Sequence, residues 1–181
     1  MKSLIFFLLS CLIVLTPACV NKRSEAEFAK TNSRGYVLKS AEGELLPAIN
    51  SMVKTSPEMG SQNLITVVSK MNPGTGTGLH FHQNGDEIFY VLEGTGTAVV
   101  DYITYSIEAG DLIFIPKNID HKIRKTDSAG FLKVLFFMDN PALLNSFREE
   151  HKQFYVKKNL LSLETLNKIS KKYGTTYKTM N

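Results

Sequence analysis

Three of the four histidines in this chain, His80, His82 and His121, are spaced around a single glutamate, Glu87. The first segment reads Gly74-x5-His80-x-His82-x4-Glu87-x6-Gly94, and the second reads Gly110-x5-Pro116-x4-His121. Three imidazoles and one carboxylate suit a divalent first-row transition metal. They accommodate Fe, Mn, Ni, Cu or Zn without selecting strongly among them. No cysteine, Ser-His-Asp order or second carboxylate pair offers a rival catalytic set. Gly74-Thr75-Gly76-Thr77-Gly78 has the glycine density of a phosphate loop, but no Lys-Ser/Thr follows and no helix opens after it. It reads instead as a flexible turn into the ligand strand. His151, alone among charged residues, reads as a solvated surface histidine.

Chemistry of this kind needs elements that bring the four side chains together. Residues i and i+2 of a strand share a face, so His80 and His82 point one way and Phe81 the other. The Asn84-Gly85-Asp86 turn reverses the chain and lets Glu87 open the next strand near both imidazoles. His121 lies on a later strand, after a turn that Pro116 and Asn118 help to form. Spacing alone leaves open whether His121 closes on the other three, and a barrel is the economical way to bring them together.

The surrounding pattern is β. Leu64 to Met71, Leu79 to His82, Glu87 to Leu92, Thr97 to Ile107, Leu112 to Ile115, His121 to Arg124 and Phe131 to Met138 are β-branched or aromatic runs. Turn residues bound them: Asn72-Pro73-Gly74, Asn84-Gly85-Asp86, Gly94-Thr95-Gly96 and Ala109-Gly110-Asp111. Short strands with no intervening helix predict an all-β fold, an antiparallel sandwich or barrel. After Asn140-Pro141 the period becomes helical. Pro141 to Lys152 carries Leu143, Leu144 and Phe147. Ser162 is placed to cap a second helix with a Leu163, Leu166, Ile169 and Tyr173 stripe, ended by Gly174. Packing against the outside or one end of the barrel is the expected use of both stripes, with a lid over the pocket as the alternative.

The two spaced segments resemble the two signature motifs of the cupin superfamily, small β-barrels of the jelly-roll type. The first motif matches at Gly74, His80, His82, Glu87 and Gly94, and the second at Gly110, Pro116 and His121. Asn118 stands where glycine is usual, and Lys125 where asparagine is usual. Asn tolerates φ > 0 better than other non-glycine residues, so the turn survives. The resemblance covers about residues 61 to 139. It implies a single cupin antiparallel β-barrel with a short C-terminal helical extension. It also implies that His80, His82, Glu87 and His121 coordinate one metal, leaving positions for water, dioxygen or a substrate oxygen. The Leu166 to Gly174 segment is similar to tails of quercetinase-like cupins.

The ends carry other information. Lys2, an apolar stretch from Leu4 to Leu15 and the small residues Thr16 and Ala18 predict an export signal over residues 1–18. The wider window Leu4 to Val20 leaves an uncleaved anchor open. Cys11 and Cys19 are the two cysteines of the chain, and cleavage near residue 18 leaves Cys19 at the mature terminus. A lone exported cysteine there suits lipid attachment, and free soluble export is the alternative. Residues 19–35 read as a polar linker, 36–60 as entry strands or irregular chain, 61–139 as the barrel and 140–181 as the helical extension. The net charge is +4, and it belongs to the tail. From Arg148 onward eight Lys/Arg face three Glu, which gives +5 and leaves −1 for the rest. Lysines along a solvated helix explain that, and no nucleic-acid partner is expected.

Strand parity puts Phe89 and Val91 on the face of Glu87, and Ile123 on that of His121. With Phe114 they are the candidate pocket residues. Such a wall suits a small, partly hydrophobic, oxygen-bearing ligand. Two functions follow. One is a metal-dependent dioxygenase in which Glu87 doubles as a base. The other is a non-catalytic module of the periplasm or envelope that binds a metal or small ligand. Sugar or polyol isomerisation calls for further charged pocket residues, which the sequence does not place. The expected partners are a small molecule, a membrane tether through the N-terminus and, as an option, a second copy in a homodimer.

Overall fold

The computed structural model describes residues 35–157 and 161–179. The expected signal, Cys19 and nearly all of the linker lie outside that range. Ten strands run in chain order among the described residues. They are β1 (Glu44–Leu46), β2 (Ser51–Thr55), β3 (Ile65–Met71), β4 (Leu79–His82), β5 (Glu87–Val100), β6 (Ile103–Glu108), β7 (Leu112–Ile115), β8 (His121–Arg124), β9 (Leu132–Met138) and β10 (Thr175–Lys178). Two helices, α1 (Ala142–Lys157) and α2 (Leu163–Ser170), separate β9 from β10. No helix among the described residues is long and apolar enough to cross a membrane.

All the strand pairings are antiparallel, and β5 is the hinge of the architecture. Its first half pairs with β7 and β9, in the sheet that continues through β3 and β2 to β1. Its second half pairs with β6 and β8, in the sheet that continues through β4 to β10. Gly94-Thr95-Gly96, expected as a turn between two strands, is instead the place where one strand passes from sheet to sheet. The glycines are there for clearance. Gly94 has φ +84, and a Cβ on it would lie 1.8 Å from the Phe131 carbonyl oxygen.

The reversal falls later, at Asp101-Tyr102, inside what the pattern predicts as one strand from Thr97 to Ile107. Val100 pairs with Ile103, and both turn residues have positive φ, 48° and 63°. That is the two-residue hairpin geometry usually signalled by glycine or asparagine, and a tyrosine hides it. The Tyr102 hydroxyl donates to Asp120 Oδ2 at 2.6 Å, which helps hold the turn.

Alternate residues of the two sheets meet in one core. It includes Phe89 and Val91 of β5, Ile113 and Ile115 of β7 and Ile123 of β8. Leu143 and Leu144 of α1 close onto it, so the first predicted helical stripe packs as expected. Arg148 ties that helix to the strand side, with bonds to Glu44 at 2.6 and 2.8 Å and to Glu58 at 3.0 Å. His151 on α1 is half-buried, and its Nδ1 accepts the Ala48 amide at 3.2 Å. The solvated surface role expected for it is therefore wrong.

Ser162 caps α2 as predicted, its hydroxyl accepting the Thr165 amide at 3.2 Å. Gly174 ends the following short 3₁₀ turn with φ 87°. Beyond it the chain does not remain a helical appendage. Thr175–Lys178 joins β4 as a sheet strand, in the register Thr175 to His82 and Tyr177 to His80. Threonine and tyrosine favour extended backbone, but four residues are too short a run to stand out in sequence.

Candidate metal centre

The fold gathers the four predicted ligands from both sheets. His80 and His82 sit on β4, and His121 on β8, where it pairs directly with His80. Glu87 opens β5 in the other sheet, opposite Ile115 and Met138. β4 and β5 are not paired, so the Asn84–Asp86 segment carries the chain between sheets rather than closing a hairpin. One ligand atom from each of the four residues lies within 4.8 Å of the others, and all four residues are buried. Imidazole centroids are 4.9 Å apart for His80 and His82, 4.2 Å for His80 and His121, and 5.2 Å for His82 and His121.

Hydrogen bonds orient the rings. His80 Nδ1 faces the Gly78 carbonyl oxygen at 2.9 Å, and His121 Nδ1 faces that of Ile119 at 2.9 Å. Carbonyls only accept, so both Nδ1 atoms carry the proton and the Nε2 lone pairs turn inward. His121 Nε2 then lies 3.0 Å from Glu87 Oε2, and His82 Nε2 lies 3.2 Å from the same oxygen. A nitrogen lone pair and a carboxylate oxygen at that separation need a positive charge between them, either a proton or a metal cation. Burial alone would raise the Glu87 carboxyl. A proton held in the His121 and His82 contacts, the place a metal would take, outweighs it and holds the group well below the usual carboxylate range. Burial, then the charges of His121 and His82, push His80 well below the ordinary imidazole value. An ionised carboxylate beside a neutral imidazole is the state a divalent cation binds, so the residues fit the metal that their types suggested.

The pocket residues divide. Phe89, Val91 and Ile123 face the interior, as parity predicts, and are packed into the core with at most 2% exposure. The Phe89 ring lies 6.5 Å from that of His121. Phe114 does not belong with them. It is 52% exposed, because the inward positions of β7 are Ile113 and Ile115, which pair with Phe89 and Glu87. A cavity of about 700 Å³ opens elsewhere, lined by residues including Leu79, Val99, Tyr102, Leu163, Tyr177 and Lys178. Leu79 and Val99 are one residue out of phase with His80 and the interior Ala98, which sets most of this lining on the sheet face away from the imidazoles. Tyr177 belongs to both sides.

Sequence reading passed over Thr175 and Tyr177. Thr175 Oγ1 lies 2.9 Å from His82 Nδ1, and the Tyr177 ring stacks on His80 at 5.1 Å and 22°. The sequence signal for them was the β-forming Thr-Thr-Tyr after Gly174, hidden by the helical pattern before it.

Residues 67–138 match the cupin domain family. An uncharacterized protein of Methanocaldococcus jannaschii is 39% identical over 62 residues, 34% of this chain and 49% of that protein. Quercetin 2,3-dioxygenase of Bacillus subtilis is 30% identical over 110 residues, 60% of this chain and 33% of that protein. The oxalate-binding protein of Thermotoga maritima is 34% identical over 71 residues, 38% of this chain and 59% of that protein. The chain therefore spans between a third and three fifths of the length of these relatives.

Proposed function

We propose that the chain, whose residues 67–138 match the cupin domain family, holds one divalent transition metal through His80, His82, Glu87 and His121. In this reading it acts as a dioxygenase on a small oxygen-bearing organic substrate, in the cell envelope after export. The observation that carries the proposal is the convergence of four buried ligand atoms within 4.8 Å, with two imidazole nitrogens aimed at one ionised carboxylate. A metal bound there would supply Lewis-acid coordination of a substrate oxygen and a redox centre for dioxygen chemistry.

The residues of the chain do the remaining work. His80 and His121 are fixed by backbone carbonyls, so neither has to reorient to present Nε2. Glu87 supplies the negative charge and, in this proposal, accepts a proton from the substrate. Phe89 packs beside the site, its buried ring 6.5 Å from that of His121. The similarity to a quercetin 2,3-dioxygenase supports the oxygenase reading, and the apolar stretch before Cys19 supports export.

A second reading, metal or small-ligand binding without turnover, draws on a different observation. Phe89, Val91 and Ile123 are packed into the core rather than lining an open pocket, and a relative is named an oxalate-binding protein. One experiment separates the two. The full chain is purified from the envelope fraction of its native cells, its metal is identified by elemental analysis, and oxygen uptake is followed with a panel of phenols, diketones and small carboxylates. The dioxygenase reading expects one metal per chain and uptake that disappears in His80→Ala. Ligand binding without uptake selects the second reading. Recovery without metal, or from the cytosol, sinks the metal or export part respectively.

A further inference from the structure

His80 Nδ1 and His121 Nδ1 each meet a carbonyl two residues away, inside their own segment. His82 is held differently. Its Nδ1 meets Thr175 Oγ1, 93 residues along the chain, at 2.9 Å, and Thr175 is itself 3% exposed. The same strand lays Tyr177 against His80. Tyr177 is fixed at its far end, where its hydroxyl donates to Glu150 Oε2 at 3.0 Å. Glu150 is buried in turn, its Oε1 accepting the hydroxyls of Ser146 at 2.8 Å and Ser170 at 2.5 Å. The Gly174 carbonyl accepts the Gln83 amide at 2.7 Å and joins the start of β10 to the end of the ligand strand. Thr175 and Tyr177 of β10 thus lie behind two imidazoles, and both helices reach Tyr177 through Glu150.

We propose that the C-terminal segment is part of the metal centre: Thr175 and Tyr177 are positioning residues for the rings of His82 and His80, with Glu150 anchoring Tyr177. The proposal rests on the metal-binding reading above. A Thr175 hydroxyl oxygen that accepts a hydrogen bond from the Nδ1–H of His82 leaves its Nε2 lone pair directed at the ligand cluster. Without it, the buried Nδ1 loses its partner and the ring is free to turn. Removing such a partner of a ligating histidine typically weakens metal binding about 10- to 100-fold. Tyr177 acts through shape, since a ring stacked on His80 blocks rotation about its χ2.

The test uses the full-length chain, stripped by chelation and titrated with Zn²⁺ and Co²⁺ against a competing chelator. The visible absorption of the Co²⁺ form is recorded, and the metal-free fold is followed by circular dichroism. Thr175→Val keeps the side-chain shape and removes the hydroxyl. It is expected to bind about 10- to 100-fold more weakly, with a changed Co²⁺ spectrum, while Thr175→Ser recovers most of the affinity. Tyr177→Leu is expected to alter the Co²⁺ spectrum as well. Wild-type affinity and spectrum in Thr175→Val, or no recovery in Thr175→Ser, overturn the proposal while leaving the metal reading intact. Absence of metal binding by the wild type overturns both. Should Thr175→Val fail to fold, Tyr177→Leu decides, and an unchanged affinity and spectrum there also overturn the proposal.

Discussion

At Asn118 the backbone takes φ 67°, and its amide donates to the His82 carbonyl oxygen at 2.7 Å. The turn that delivers His121 therefore also braces the strand carrying the other imidazoles. Left-handed backbone costs an ordinary L-residue about 1–2 kcal/mol, and asparagine and glycine less. Asn118→Ala is expected to lower stability by about 1 kcal/mol, and Asn118→Gly to change it by less than about 0.5 kcal/mol. Urea denaturation of both variants checks this, and equal effects would remove the conformational argument. The sequence made this residue legible, because asparagine in a glycine position names its own conformation. The four ligands were legible for a similar reason: histidine pairs at i and i+2 and a carboxylate after a turn have few other uses. Phe114 was not, since all four residues of β7 are apolar and no alternation says which face turns inward, although the strand has the expected bounds.

Elements were readable where their residues carry the signal and obscure where partners do. Ser162 and Gly174 mark both ends of the second helical segment by their own chemistry. The bend of β5 at Gly94 and the hairpin at Asp101-Tyr102 were exchanged in the sequence reading. The first looks like a turn because close backbone neighbours require glycine, and the second pairs Asp101 with a tyrosine where glycine is usual. The linkage of α1 to the strands was equally hidden, as it joins Arg148 to carboxylates on distant segments. Arg148 holds the Glu58 carboxyl down to about 2 through its hydrogen bonds. A depressed folded pKa means that the stabilisation is present above the unfolded value, about 4.3, and is lost as pH falls toward 2. Glu58 is half exposed, so solvent screening holds the contribution to about 1 kcal/mol or less. Arg148→Met is expected to shrink the fall in Tm between pH 6 and about pH 3, compared with wild type. Parallel melting curves over that range would show that the pair adds nothing.

For the whole molecule, the decisive arrangement is that three ligands belong to one sheet and the fourth to the other. A metal that binds all four links the sheets in the folded state and has no comparable site in the unfolded chain. Ligand at 100 times its Kd adds about 2.7 kcal/mol to stability. At about 2–4 °C per kcal/mol for a chain of this size, chelation of the loaded protein should lower Tm by roughly 5–10 °C. Calorimetry with and without EDTA measures it, and His121→Ala should show no such difference. An EDTA-insensitive Tm in metal-loaded wild type would mean that the four residues do not act as one site. The barrel itself was readable at this scale, as turn-bounded β runs allow few other architectures. The return of the chain at β10 was not, since its partner strand lies more than ninety residues earlier.

That return sets an order of events during synthesis. A ribosome that has delivered His121 has already made every ligand, yet both helices and β10 are still unmade. The four ligands are thus translated before Thr175 and Tyr177, the residues that lie behind His82 and His80.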